Sequence, residues 1–297
     1  MKGKFSLIAV ILFLLVCVYL AADQDKNAPL EFFAFLGLNL NKVDTLYSND
    51  YFLNFNAGRP NSFASQEILL QSKPSSNIYA GMSYAVAERF RLKLSVDYSR
   101  IHFKGQNSPY KIHLDYVTLI PPNYDSFHLS YDVSKTWPDT QGTLKTLGFL
   151  LNLQCNVLNS KKIAINLSAG GGYYIIFGEF FPLGYSDYWL GGHGVLMYNH
   201  YLLKMKIPSS GKIGGTADFQ LEFKLSSRIS LITRAAYNLV GTLSVVPVIE
   251  EVFYYEFQDE VAESTLSDIK KFMTFNTLKI NPSFFSIHFG IKIRLPW

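Results

Sequence analysis

Apolar and polar residues alternate one by one along the last stretch of the chain. Phe285, Ile287, Phe289, Ile291, Ile293, Leu295 and Trp297 fall on one face; Ser286, His288, Gly290, Lys292, Arg294 and Pro296 fall on the other. A period of two belongs to an extended strand, whose successive side chains point to opposite sides. The same period recurs in three pairs of segments joined by short turns. Ile78, Ala80, Met82, Tyr84 and Val86 lead to a turn at 87–89, and Phe90, Leu92, Leu94, Val96 and Tyr98 lead away from it. Leu147, Phe149, Leu151, Leu153, Cys155 and Val157 run to a turn at 158–162, from which Ile163, Ile165, Leu167, Ala169, Tyr173, Ile175 and Phe177 return. Ala217, Phe219, Leu221, Phe223 and Leu225 reach a turn at 226–228, and Ile229, Leu231, Ala235, Tyr237 and Leu239 come back. With a less regular first strand at 30–40, the pattern predicts eight strands.

The three turns are about three to five residues long, a usual hairpin length. The connections near 41–76, 104–142, 179–211 and 243–282 are read as long loops. Short turns at one end and long loops at the other predict a closed, antiparallel, up-and-down barrel. An even strand number puts both termini at the turn end. One more segment alternates: Tyr110, Ile112, Leu114 and Tyr116, then Phe127, Leu129, Tyr131 and Val133, around Pro121, Pro122 and Asn123. It is expected to form a hairpin beyond the barrel, with ten barrel strands as the alternative. Residues 260–273, with Val261, Leu266, Ile269 and Phe272, have the spacing of a short amphipathic helix over the loops.

Composition says which solvent the apolar face meets. Only 17% of the residues are charged, against about 25% in an ordinary soluble domain. Aromatics reach 15%, and the mean hydropathy is +0.11. Yet no apolar run after residue 22 approaches the ~20 residues of a membrane helix. Such a chain has the profile of a transmembrane β-barrel. A lipocalin-like soluble barrel would show the same period with its apolar face inside. Two features oppose it: the form of the tail, and the glycines Gly81, Gly148, Gly170, Gly172 and Gly290 among the charges of the polar face.

The start of the chain, with Lys2 and Lys4 before an apolar run from Phe5 to Leu20, reads as a secretory signal peptide. It would cover residues 1–22, ending at Ala21 or Ala22, and leave a barrel domain of 23–297; an uncleaved anchor is the alternative. Losing Lys2 and Lys4 takes the formal charge from +4 to +2, which suggests no nucleic-acid partner. Cys17 would leave with the leader, so Cys155 could form no disulfide within the chain.

The tail "HFGIKIRL" resembles the C-terminal signal read by the barrel assembly machinery, with His288, Gly290, Ile293 and Leu295 at its spacing and Trp297 as its terminal aromatic. It departs from that pattern at Pro296 and in ending on Trp rather than Phe. The mature chain as a whole resembles the small outer-membrane barrels of the OmpA, OmpX and OmpW type in strand number and loop asymmetry. The resemblance implies an outer membrane of the Gram-negative kind, with turns and termini periplasmic. It also implies contact with outer-membrane lipid and lipopolysaccharide, and assembly by that machinery. Tyr98, Tyr173 and Tyr237 lie eight to ten residues from the turn ends of their strands. That is a climb of roughly 19–25 Å, which would place them in the outer aromatic girdle and Trp297 in the inner one.

Eight strands enclose only enough room for their own side chains. The inward charges Arg91, Lys93, Asp97, Asp218, Glu222, Lys224 and Arg234, with Lys292 and Arg294, are therefore expected to pair into a network that plugs the lumen. That argues against a general porin. For catalysis, His113 with Asp115 and His128 with Asp132 are the nearest acid–base pairs, and no hydrolase motif accompanies them. No enzyme, cofactor or metal is expected, and a lipid-modifying enzyme is a distant alternative. The "GGHG" at 191–194 lacks the strand-then-helix context of a phosphate loop. The aromatic stretches "GEFFPLGYSDYWLGG" and "EEVFYYEFQ" could wall an apolar pocket. The expected role is structural or surface-binding, with a conduit or binder for small hydrophobic molecules, as in the OmpW type, as the alternative.

Overall fold

Each alternating segment forms a strand. The computed structural model describes residues 30–40, 44–52, 63–107, 110–120, 125–190, 196–255, 263–272 and 275–295. The expected leader, the Pro121–Pro122–Asn123 turn, the run at 191–194 and Trp297 lie outside them. The described strands are, in chain order, β1 (Leu30–Leu40), β2 (Asp44–Phe52), β3 (Phe63–Lys73), β4 (Ser75–Ala85) and β5 (Phe90–Asn107). Next come β6 (Tyr110–Ile120), β7 (Asp125–Lys135), β8 (Thr140–Asn159), β9 (Ile163–Leu190) and β10 (Leu196–Lys224). The chain ends with β11 (Ile229–Val240), β12 (Leu243–Val245), β13 (Val248–Tyr254), a helix Glu263–Phe272, β14 (Leu278–Ile280) and β15 (Phe284–Leu295).

Eight of these strands close a ring, β1–β4–β5–β8–β9–β10–β11–β15, and every pairing is antiparallel. β15 returns to β1 along its whole length, from Leu30 opposite Leu295 to Leu40 opposite Phe285, so the ring has no open edge. The turns at 86–89, 160–162 and 225–228 lie at the same end as the first residue of β1 and the last of β15. Hydroxyls tie two of them. Ser160 Oγ accepts from the Ile163 amide at 3.0 Å, and Ser226 Oγ accepts from Arg228 and Ile229 at 3.2 and 3.0 Å.

The barrel is apolar outside. In the stretch of β5 from Phe90 to Tyr98, of β8 from 147 to 157 and of β9 from 163 to 177, no outward position carries a charge. The same holds for β1, β4, β11 and β15 and for β10 from 211 to 223. Leu36 is 69% exposed and Phe289 66%. A belt of this kind around a whole molecule is far beyond the few hundred Å² of a soluble monomer's largest patch. Its solvent is hydrocarbon, and the fold is that of a transmembrane barrel.

The connections read as long loops are mostly strand. β9 and β10 run far past the belt, through 179–211, and β5 and β8 continue into 104–142. Where β4 and β11 stop, β3 takes the free edge of β5 and β13 takes that of β10. β6 and β7 form a hairpin outside the ring, attached to β3. The helix Glu263–Phe272 buries Ile269. These extensions escaped the pattern because the two faces exchange character within one strand. Inward positions of β5 read Arg91, Lys93, Ser95, Asp97 and Ser99, then Ile101 and Phe103; outward ones read Phe90 to Tyr98, then Arg100, His102 and Lys104. Below the crossing the strand is built for lipid outside, and above it for water outside.

Gly290 shows how tightly the ring is closed. A Cβ there would stand 2.2 Å from the Ala34 carbonyl oxygen and 2.6 Å from the Phe35 ring. We predict that Gly290→Val lowers the yield of folded barrel both in cells and in refolding from urea into detergent. A defect in cells alone would mean that the residue acts through recognition by the assembly machinery rather than through space.

Candidate functional site

The lumen is filled in three tiers. Nearest the turn end, Glu31 and Glu222 are gripped by Arg91, Lys292 and Arg294. Arg91 Nε lies 3.1 Å from Glu31 Oε2, Lys292 Nζ 3.2 Å from Glu31 Oε2 and Arg294 Nε 2.9 Å from Glu31 Oε1. Lys292 and Arg294 also pair with Glu222. Ser83 Oγ donates to Glu31 at 3.0 Å. These side chains meet because Glu31 and Ser83 stand in register across β1 and β4, and Arg91, one inward position nearer the turn on β5 and opposite Ala85, reaches back to Ser83 Oγ at 3.3 Å.

The middle tier combines charge with aromatic rings. Asp218 accepts from Lys93 at 3.3 Å and is ion-paired with Arg234 at 3.2 Å, and all three are buried. The Arg234 guanidinium lies 3.7 Å from the Tyr79 ring centroid, and Lys93 Nζ lies 5.5 Å from that of Phe33. The ring faces thus take part of the cations' field. Phe33 and Tyr79 stack at 5.3 Å. Glycines opposite these aromatics make the room: Gly81 faces Phe33, Gly290 faces Phe35, and Gly148 faces Tyr174.

In the third tier Asp97 accepts from Asn77 at 2.9 Å and Asn238 at 3.4 Å, and Tyr174 donates to Asn238 Oδ1 at 3.1 Å. His288 Nε2 contacts Asn77 Oδ1 at 2.8 Å, and Arg234 Nη1 contacts His288 Nδ1 at 3.3 Å. A neutral ring protonated on Nε2 satisfies both contacts. His288, named for the tail signal, is therefore fully occupied inside the barrel.

The structure thus brings Arg91, Lys93, Asp97, Asp218, Glu222 and Arg234 into one lumen. Two expected pairings need correcting: Asp97 is held by Asn77 and Asn238 rather than by a cation, and Lys224, though it lines the turn-end cavity beside Glu31 and Glu222, reaches neither carboxylate. Lys224 lies at the rim, forms no ion pair among the described residues, and donates to Asn159 and to the Ser160 carbonyl oxygen. Tyr98, Tyr173 and Tyr237 face outward, with Tyr173 and Tyr237 about half exposed, as are Ile293 and Leu295. Sequence reasoning missed Glu31, Asn77, Asn238 and the inward rings of Phe33, Phe35, Tyr79 and Tyr174. For Glu31 a signal existed: it alternates against Leu30, Phe32, Ala34, Leu36 and Leu38.

Above the belt the interior turns apolar and packs solid. Leu183, Tyr185, Leu203, Met205 and Ile249 are buried there, so the "GEFFPLGYSDYWLGG" stretch is core at Leu183 and Tyr185, whereas its Glu179, Phe180, Phe181 and Pro182, with Phe253 of "EEVFYYEFQ", line a groove. Ser186 Oγ and His200 Nδ1 lie 2.7 Å apart in this region, against the rings of Trp137 and Tyr198. Ser186 is wholly buried, which leaves its hydroxyl no open face for a substrate. At the β6–β7 hairpin His113 Nδ1 meets Asp132 at 2.9 Å, the two being directly opposite in register; the side chains of Asp115 and His128 lie outside the described residues. A groove of about 1290 Å³ opens on the outer wall above the belt, between Lys73, His102, Lys104, Glu179, Phe181 and Phe253.

No family model matches the sequence, and no curated protein matches it. Among solved structures the chain is similar to the outer membrane protein OprG from Pseudomonas aeruginosa, with a TM-score of 0.41 and 11% identity over 91% of this chain and 98% of that one. It is similar to the outer membrane protease OmpT from Escherichia coli, with a TM-score of 0.40 and 7% identity over 89% and 97%. A major outer membrane protein from Thermus thermophilus gives 0.36 and 13% over 89% and 99%. The closed ring and its outward apolar belt carry the architecture on their own, and these likenesses assign no role. The chain is a small transmembrane β-barrel of eight ring strands with a tall β cap.

Proposed function

We infer that the protein is an integral outer-membrane barrel with a structural or surface-binding role and no general pore. The observation that carries this is the coincidence of a charge-free outer belt with a lumen closed by paired charges. The pairs join strands that are not neighbours in the ring, from Arg294 on β15 to Glu222 on β10 and from Lys93 on β5 to Asp218 on β10. The rings of Phe33, Tyr79 and Tyr174 are buried above them, and a cavity of about 220 Å³ remains at the turn end among Glu31, Arg91, Asn166, Glu222 and Lys292. An ion crossing that space would have to break several buried pairs, each strongly destabilising when one partner is left alone. The buried apolar cap supports binding at the outer wall over a lined pocket within the cap, the arrangement a conduit for small hydrophobic molecules would use. Residues 1–22 serve as the export signal on this reading, and the termini face the periplasm.

Two measurements test it. The protein should fractionate with outer membranes and migrate differently on gels before and after boiling, because a closed barrel resists detergent until heated. Reconstituted in planar bilayers, it should give no large, steady conductance. Recovery in the soluble periplasm sinks the location, and porin-like steps sink the plug.

A further inference from the structure

Immediately above the belt, one side of the barrel carries an outward cluster of cations. Arg100 on β5 stands directly opposite Lys145 on β8, and Lys145 stands opposite Phe177 on β9. One row higher are Lys73, His102, Thr143, Glu179 and Lys206, and one row above that lies Lys104. Lys73, Arg100, Lys104, Lys145 and Lys206 make five positive charges in these rows, against Glu179 and the Asp139 that pairs with Lys104 at 2.6 Å. Among the described residues no carboxylate comes within ion-pair distance of Lys73, Arg100 or Lys145. Like charges directly opposite across a ladder are destabilising, and for Arg100 beside Lys145 the Phe177 ring, 5.9 Å from Lys145 Nζ, offsets this only in part. The opposite side of the ring lacks the feature, since β11, β15 and β1 have no outward charge anywhere.

The position identifies the partner. Directly below Arg100 and Lys145 the outward surface is Tyr98, Leu147 and Ile175, then Val96, Phe149 and Tyr173. From Phe90 to Tyr98 the strand climbs about 20 Å, most of an apolar band of ~25 Å. The cations therefore stand at the level where headgroup phosphates of the loop-side leaflet lie, with acyl chains against the apolar rows beneath. The groove above them offers polar groups beside two aromatic faces, Phe181 and Phe253, whose ring centroids are 5.6 Å apart.

We propose that Arg100, Lys145 and Lys73 form a site for the phosphates of a phosphorylated glycolipid of that leaflet, with its sugar headgroup at the groove. A lipid anchored in the leaflet supplies two contacts at once, acyl chain to belt and phosphate to cation, where free phosphate supplies one. The site rests on the outer-membrane reading for the source of the lipid.

The test is native mass spectrometry of the purified full barrel with lipid A, with enzymatically dephosphorylated lipid A, and with inorganic phosphate as competitor. Wild-type protein should retain lipid A and discriminate against the dephosphorylated form. Removal of each charge in Arg100→Gln and Lys145→Gln should lower occupancy about five-fold. Lys161→Gln, an exposed cation at the turn end, should change nothing. Equal retention of dephosphorylated lipid overturns the site and needs no variant to fold. So does full retention by the double variant, checked as folded by its gel shift. Displacement of lipid A by inorganic phosphate at comparable concentration overturns the lipid as the source. Any of these in a barrel that still sits in the outer membrane sinks this site alone.

Discussion

Arginine at position 291 should keep the barrel out of a bilayer, whereas serine at position 292 should leave it able to assemble. Ile291 is half exposed and stands in register with Ala34 and Leu231, in the middle of the outward belt. A cation there must be carried into hydrocarbon, at about 2–4 kcal/mol near the midplane, which is a large part of a small domain's stability. Lys292, the next residue, points the other way and is buried between Glu31 and Glu222. Its loss still leaves Glu31 with Arg91 and Arg294, and Glu222 with Arg294, so neither carboxylate is stranded. The two substitutions are compared by insertion into liposomes and by the unboiled gel band. Equal tolerance of both would mean that the faces have been assigned inside out.

A second large effect is expected at Arg234. Its guanidinium is wholly buried between Asp218, His288 and the Tyr79 ring. Arg234→Ala removes the stacked cation and opens a cavity beside Tyr79. Breaking a buried pair by taking away one partner costs about 3–5 kcal/mol. Part of that is recovered here because Lys93 remains on Asp218. Arg234→Lys should lie between, since an ammonium keeps the charge but lacks the planar fork that both stacks and pairs. Urea titrations in lipid or detergent, followed by tryptophan fluorescence, measure the loss. The combination with Asp218→Asn should fall well short of the two single losses summed. A loss under about 0.5 kcal/mol for Arg234→Ala, typical of an exposed pair, would show that the lumen is wet and the charges screened.

Strand number and closure were legible because the solvent on each side of the wall is uniform over the belt, so a single alternation persists for a whole crossing. Ile229 to Leu239 and Phe285 to Leu295 are examples. The cap was illegible for the same reason reversed. After Ser99 and Arg100 the alternation continues with its sides exchanged, and a pattern search sees only an interruption. β9 and β10, running as Ile163–Leu190 and Leu196–Lys224, therefore looked like short strands ending in loops. Within the lumen, charged residues were visible as exceptions on an apolar strand. Phe33, Phe35 and Tyr79 were not, because an inward aromatic beside an outward Phe32 or Ile78 leaves no contrast to read. Lys224 shows the limit of parity: its side of the wall was evident, but whether it reaches a partner depends on where the barrel ends.

The crossing of polarities also fixes how deep the molecule sits. A shift inward by one residue pair, about 5 Å along the membrane normal for a tilted strand, would draw Arg100 and Lys145 into hydrocarbon. A shift outward would lift Tyr98, Leu147 and Ile175 into the headgroups and wet the apolar belt beneath them. Here paired strands rather than loops carry the change of solvent, with irregularities in the β9–β10 ladder between Ile207 and Ser210 and between Leu203 and Met205. A bilayer of mismatched thickness must then deform to meet the protein, at fractions of a kcal/mol per Å. Because the cationic rows stand on one side only, that side holds its level more firmly than the other. The barrel's tilt would thus follow from the chemistry of its wall, with local membrane thickness as the variable that yields.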